Sequence, residues 1–225
     1  MLGHDLKEEE LVRELEQAII SGNVEDTARI ANEILKAELD PIKVIQEHLV
    51  SAMKLVGEKF ENQEYFLADL MSAGEAMKVS TSILTSGMDR ESIKRLESAR
   101  SGVVVIGTVK GDQHDIGKNL VALLLQANRF DIHDLGVDVS PQEFVEKAKG
   151  TDSDIVALSA LLTTTVPYQA EVTNYLRDAG LRGRFKVMVG GGATSADWAK
   201  EIGAEGWAPD ATKAVEVAKQ IMRVS

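Results

Sequence analysis

Residues 102–118 read GVVVIGTVKGDQHDIGK. Val103 to Ile106 form a short apolar run with no polar alternation, the pattern of a strand buried on both faces. A glycine follows, and then a polar loop, Thr108 to Lys118, in which Asp112, His114 and Asp115 crowd together. Gly117 opens an amphipathic stretch over 119–128. The segment thus reads as strand, functional-looking loop, helix.

The pattern repeats down the chain. Residues 154–158 (DIVAL) and 185–189 (FKVMV) are similar buried runs, separated by amphipathic stretches over 142–149, 168–179 and 197–202. A last helix is expected from about 210 to 222. Buried strands alternating with helices imply a parallel sheet covered on both faces. Residues 101–225 are therefore expected to form a Rossmann-like, flavodoxin-like domain: an α/β, doubly wound parallel sheet of five strands. Such folds hold ligands outside the C-terminal ends of their strands. The loops after Ile106, Leu158 and Val189 share that edge.

Upstream, only the helical period is present. Leu11, Leu15 and Ile19 are spaced by four, and Ser21-Gly22-Asn23 ends the run. Ile30, Ile34 and Leu35 mark a second helix. Asp40-Pro41 supplies an N-cap and a first-turn proline for a third, striped by Ile42, Ile45, Leu49, Ala52, Val56 and Phe60. Phe66, Leu70, Ala73, Met77 and Leu84 continue a fourth. Short turns between helices make them antiparallel neighbours, so residues 1–88 are expected to be a four-helix bundle. Residues 89–100 (DRESIKRLESAR) lack a sustained apolar stripe and read as a linker.

Composition narrows the function. The chain has 225 residues and a net charge of −11, with 20 acids against 11 bases up to residue 98 and 16 against 14 beyond. That balance argues against a phosphate backbone as partner, so no nucleic acid is expected. The absence of cysteine removes disulfides, thiolate metal sites and cysteine nucleophiles. No basic-then-apolar leader and no apolar run of about 18 residues is present, so a cytoplasmic protein without a membrane partner is expected.

Several chemistries compete for the first loop. A phosphate-binding GxxxxGK[ST] loop needs four residues between its glycines, whereas five separate Gly111 from Gly117, and Asn119 stands where the hydroxyl belongs. A zinc site needs three or four ligands, and His4, His48 and His133 share no spacing with the loop. A surface loop with a helix-capping Asp remains open. So does a single metal ligand: a ligating His commonly gives its second ring N–H to a carboxylate, and Asp112 stands two residues before His114. One protein ligand suffices only where a macrocycle fills the other positions. In the second loop, the hydroxyls of Ser159 and Thr163 to Thr165 suit either a polar ligand or a helix cap before Pro167. In the third, Gly190-Gly191-Gly192 permits close backbone approach. Lys118 reads as a solvated first-turn residue.

Asp112-x-His114-x-x-Gly117, Ser159-x-Leu161 and Gly191-Gly192 together resemble the DxHxxG…SxL…GG signature of cobalamin-binding domains. Gly57-Glu58-Lys59-Phe60, followed by Tyr65-Phe66-Leu67-Ala68-Asp69-Leu70-Met71, resembles the end of the helical cap in cobalamin-dependent methionine synthase. Similar caps occur in the corrinoid proteins of methanol, methylamine, glycine betaine and aryl methyl ether (O-demethylase) methyltransferase systems. The resemblance spans nearly the whole chain.

It implies that the cofactor is cobalamin, bound base-off/His-on with His114 as the axial cobalt ligand. Asp112 would accept the hydrogen bond from His114 and Thr165 would extend that chain; the methionine synthases carry Ser there. Gly111, Gln113, Asp115, Ile116 and Gly117 would complete the loop under the corrin, with Gln113 replacing a more usual apolar residue. Ser159, Leu161, Thr163, Gly191 and Gly192 would line the slot for the nucleotide tail, closed by Ala211. Phe60, Leu67, Leu70 and Met71 would cover the upper corrin face, unless they are simply bundle core. Such a lid protects a photolabile methyl and an oxidisable Co(I) centre. Co(I) would take a methyl group delivered by a substrate-specific methyltransferase. The resulting methylcobalamin would pass it, through an acceptor methyltransferase, to tetrahydrofolate or a thiol coenzyme such as coenzyme M. A reductive activase would rescue Co(II). The chain would thus be a carrier subunit rather than an enzyme on its own. A cobalamin-dependent regulator, an adenosylcobalamin isomerase domain and a non-corrinoid signalling domain are the alternatives.

Overall fold

The computed structural model describes residues 2–98 and 100–223. The chain divides into two compact units, residues 1–100 and 101–225.

The first unit is helical. Helix α1 (Leu2–Ile20) ends at the Ser21–Asn23 turn, and the Asn23 side chain accepts the Asp26 N–H to start α2 (Val24–Lys36). Asp40 then accepts the N–H groups of Ile42 and Lys43, with Pro41 at the first helical position, so α3 (Pro41–Lys43) begins as its sequence dictates. It runs on through a π-helical stretch, Val44–Leu49, into α4 (Val50–Glu61). Asp69 reaches back to the Phe66 N–H at 2.8 Å to start α5 (Leu67–Ser86). Helices α1, α2, α4 and α5 pack on one another around Leu15, Ile19, Ile34, Leu49, Met53, Val56, Leu70 and Leu84, all fully or almost fully buried. Phe66 departs from the expected stripe. It precedes α5 in extended backbone and is 70% exposed. The segment read as a linker carries α6 (Arg90–Ser98), whose start is marked by Asp89 accepting the Ser92 N–H.

The second unit alternates strand and helix: β1 (Gly102–Thr108), α7 (Ile116–Ala127), β2 (Phe130–Asp134), α8 (Pro141–Gly150), β3 (Ile155–Ser159), α9 (Pro167–Asp178), β4 (Lys186–Gly190), α10 (Ala196–Ile202), β5 (Gly206–Ala208) and α11 (Ala211–Arg223). All pairings are parallel, in the order β2-β1-β3-β4-β5. All seven residues of β1 are buried, as a central strand of a doubly covered sheet must be. The chain leaves β1 toward β2 on one side and continues with β3 on the other. That reversal opens a crevice at the β1/β3 ends, where Thr108 pairs with Ser159.

The two faces of the sheet differ. Val105, Val156, Leu158, Val187 and Val189 join one core with Phe144, Val172, Leu176 and Phe185. Phe144 lies so close to β1 that a Cβ on Gly107 would come within 2.8 Å of its ring. The opposite face presents Ile106, Ala157 and Met188, beneath α7 and α11, which pack on each other. We expect Phe144→Ala to destabilise the second unit by about 3–5 kcal/mol. Denaturant melts followed by tryptophan fluorescence check this, since both tryptophans, Trp198 and Trp207, lie in that unit. An unchanged midpoint would contradict the packing described.

Candidate functional site

The β1–α7 loop is shaped around one carboxylate. Asp112 is fully buried. Its Oδ1 lies 2.7 Å from His114 Nδ1 and also accepts the His114 backbone N–H at 3.1 Å. Its Oδ2 accepts the Thr165 hydroxyl at 2.6 Å and the Leu161 N–H at 2.8 Å, with the Leu162 N–H at 3.4 Å. Burial works to raise the Asp112 carboxyl, but the Thr165 hydroxyl, the His114 ring and the N–H groups of Leu161 and His114 outweigh it. Together they hold it well below the usual carboxylate range, so Asp112 stays ionised. An ionised carboxylate only accepts, which places a ring proton on Nδ1 and leaves Nε2 as the nitrogen that Asp112 does not engage. The His114 side chain is 50% exposed while its partner is sealed.

His114 stands at the rim of a cavity of about 610 Å³ in the crevice. Ile106, Leu120, Val121 and Met188 give it an apolar interior; Ala157, Ala208, Ala211 and Ala214 are small enough to leave the space. The β4–α10 loop closes one side. Gly191 has φ +111, and a Cβ there would sit 2.1 Å from the Ala160 carbonyl oxygen, so only glycine lets the loops after β3 and β4 meet this closely. Below, the fully buried Gln169 donates to the carbonyls of Leu158 (3.0 Å) and Gly190 (3.1 Å) and accepts the Trp198 indole N–H at 2.9 Å.

The expected residues fall as follows. Gln113, His114, Asp115, Ile116, Gly117, Ser159, Leu161, Gly191, Gly192 and Ala211 all line the cavity. Asp112 and Thr165 stand behind His114. Gly111 lies outside the lining, and so does Thr163: the chain turns after Leu162, with the Thr165 N–H on the Leu162 carbonyl, and carries Thr163 onto the exposed side. Asp112 does not cap α7. Asp115 occupies that position and makes no side-chain capping bond. Thr165 does not cap α9 either, because Val166 is the cap residue. In the helical unit, Phe60 and Leu67 are half-buried and Met71 is 58% exposed. Leu70 is corrected: it is fully buried on the face of α5 that carries Ala73 and Leu84, where it packs the bundle and presents no surface to a ligand.

Lys118 is also corrected. It is not solvated; its side chain is 1% exposed, with Nζ 2.5 Å from Asp134 Oδ2 and 2.6 Å from Asn119 Oδ1. Asp134, Asp138 and Gln169 carried no local signal beyond a polar residue among apolar ones.

A carboxylate-braced histidine beside an apolar slot, at the switch point of a doubly wound sheet, is the arrangement of a ligand-binding domain of the doubly wound class. Among the described residues no three His, Asp or Glu side chains converge as a metal site of their own. The comparisons agree with that class. B12 binding domain families match residues 102–216 and residues 11–85. Corrinoid protein DSY3155 of Desulfitobacterium hafniense is 42% identical over 212 residues, 94% of this chain and 97% of that protein. Dimethylamine corrinoid protein 1 of Methanosarcina acetivorans is 42% identical over 217 residues, 96% of this chain and all of that one. The methanol:cobalamin methyltransferase complex MtaBC of Methanosarcina barkeri superposes with a TM-score of 0.83 at 28% identity, over 96% of this chain and 81% of that chain. The chain belongs to the B12-binding corrinoid proteins. Among the described residues, no helix is long and apolar enough to cross a membrane.

The Asp112 network has a pH signature. A carboxyl whose folded-state pKa is depressed contributes stability that is complete above its unfolded value, near about 4. That contribution is lost as pH falls through the folded value. We expect Asp112→Asn to cost about 2–4 kcal/mol at pH 7, from donors left badly matched in a buried site, and to show a flatter loss of stability below about pH 4. Urea melts over a pH series check this; parallel acid limbs for the two proteins would contradict it.

Proposed function

We propose that the chain is a corrinoid methyl carrier that binds cobalamin base-off/His-on, with His114 as lower ligand. The observation that carries this reading is the pairing of a half-exposed imidazole, its Nδ1 committed to a buried carboxylate, with the apolar cavity at its rim. The bound cobalamin supplies a cobalt centre able to take up a methyl group and give it up. Everything else falls to the protein's own side chains.

His114 presents Nε2. Asp112 keeps the proton on Nδ1, orients the ring and raises the donor strength of Nε2. Thr165 and the Leu161 N–H keep Asp112 ionised and in place. Nε2 is the nitrogen that would hold the metal, with the Asp112 carboxylate as the counter-charge behind the ring. The slot lined by Ser159, Leu161, Gly191, Gly192 and Ala211 suits a flat apolar group at the end of a polar tail. Its small residues leave the room, and its wall of backbone lets the tail approach closely. Of the residues that the resemblance gives to a water-excluding lid, Met71 is exposed and Phe60 and Leu67 are half-buried on the helical unit.

The partners are methyltransferases, as the relatives' association with methanol and dimethylamine systems supports. One would charge the carrier from its substrate and a second would discharge it to tetrahydrofolate or a thiol coenzyme. A reductive activase would return oxidised carrier to use, within the cytoplasm.

The test is retention of hydroxocobalamin through gel filtration. The wild-type chain is expected to hold one equivalent, and His114→Ala to bind at least about 10-fold more weakly with an altered visible spectrum. Equal affinity and identical spectra would remove the axial assignment. No retained corrinoid on the wild type would remove the carrier reading altogether.

A further inference from the structure

The backbone on both sides of His114 is tied to one short segment, residues 134–138 (DLGVD), at the exit of β2. Asp134 begins it. Its Oδ2 holds the buried Lys118 ammonium in the first turn of α7, and its Oδ1 accepts the Gly136 N–H at 2.8 Å. Asp138 ends it, in left-handed backbone with φ 57. Its Oδ1 accepts the Gly111 N–H at 2.7 Å, and its own N–H donates to the Asp112 carbonyl at 3.0 Å. Between these two points, the Gly136 carbonyl accepts the Thr108 N–H at 2.9 Å. Thr108 is buried, and its hydroxyl donates to the His114 carbonyl, also at 2.9 Å.

We propose that Asp138 and the Asp134–Lys118 pair are positioning residues for His114: they hold the loop's two ends so that the imidazole stays aimed into the cavity. This rests on the axial-ligand reading. Asp112 orients the ring from within the same loop, since its Oδ1 takes both the ring and the backbone N–H of His114. A ring braced by its own loop is only as well placed as the loop. Oδ2 is fixed from the β3–α9 side by Thr165 and Leu161; the Asp112 N–H turns back to the Val109 carbonyl at 3.1 Å, while the Gly111 N–H and the Asp112 carbonyl are held from the β2 side, by Asp138. Downstream of His114, the sealed Lys118 ammonium requires its carboxylate, because a buried charge without a partner is strongly disfavoured. Lys118 therefore anchors the start of α7 to β2. Displacements on the order of 1 Å are enough to spoil a metal–ligand geometry.

The variants follow from the backbone. Asp138→Gly removes the carboxyl and tolerates φ 57, whereas Asp138→Asn keeps an acceptor oxygen and tolerates the same φ. Lys118→Met keeps the aliphatic stem and removes the ammonium. Each full-length chain is saturated with hydroxocobalamin, and its visible spectrum is recorded beside those of the wild type and His114→Ala. Thermal melts of the unloaded chains monitor folding. Asp138→Gly is expected to bind about 10-fold or more weakly and, at saturation, to move its spectrum toward that of His114→Ala. Asp138→Asn should restore the wild-type spectrum. A purely structural role would lower the melting temperature and leave the saturated spectrum unchanged; that result, beside a shifted His114→Ala spectrum, overturns the proposal. So does an Asp138→Asn spectrum displaced as far as that of Asp138→Gly. If Asp138→Gly does not fold, Lys118→Met decides by the same two spectra. A His114→Ala spectrum identical to the wild type overturns the axial reading, and this inference with it.

Discussion

A carboxylate sealed from water inside a protein survives as an anion only if donors replace the solvent. Asp112 has those donors, drawn from three places: the neighbouring imidazole, the backbone after β3 and the Thr165 hydroxyl. Each donor constrains something. The imidazole gains a fixed tautomer, the β3–α9 loop gains an anchor, and the β1–α7 loop is drawn down onto the sheet's edge. The β1/β3 reversal makes this possible, because it brings two loops separated by about fifty residues of chain to the same carboxylate. Without that topology Asp112 would be a surface acid and His114 an unoriented ring.

The cavity depends on the same edge in a different way. Its interior is apolar on the α7 and α11 face, where alanines and glycines stand in for the larger side chains that fill the opposite face around Phe144 and Phe185. Packing density in a folded core is normally close to that of an organic crystal. An asymmetry of this kind therefore marks where the fold gives up contacts to leave room. Gln169 ties the strand ends together: one buried amide bridges the carbonyls of Leu158 and Gly190, and an indole N–H holds that amide in turn. The apolar slot and the polar network are thus adjacent but supported separately.

Much of this was legible in the sequence because it is local. Continuous apolar runs announced β1, β3 and β4, and the Asp-Pro cap announced the third helix. The clustering of Asp112 and His114 after a strand announced the site. What escaped depended on partners far along the chain. The edge strand β2, FDIHD, is buried at Phe130, half-buried at Ile132 and His133 and exposed at Asp131 and Asp134, so it shows no apolar run, and β5 is only three residues long. Lys118 looked like an ordinary surface lysine because its carboxylate arrives on β2, 16 residues later. Leu70 and Met71 are adjacent in sequence and equally apolar, yet helical geometry turns one into the bundle and the other outward. No motif distinguishes them. Thr163 and Thr165 illustrate the same limit: a turn separates two like residues, sending one to solvent and the other to Asp112.

The central claim is that His114, rather than the cofactor's own base, holds cobalt from below. Electron paramagnetic resonance of the Co(II) form, bound to protein whose histidines carry nitrogen-15 and loaded with unlabelled cobalamin, tests it directly. The coupling from the axial nitrogen should change from the three-line pattern of ordinary nitrogen to the two-line pattern of the label. A three-line pattern that persists in labelled protein would show the cofactor's own base still bound, and would contradict the account.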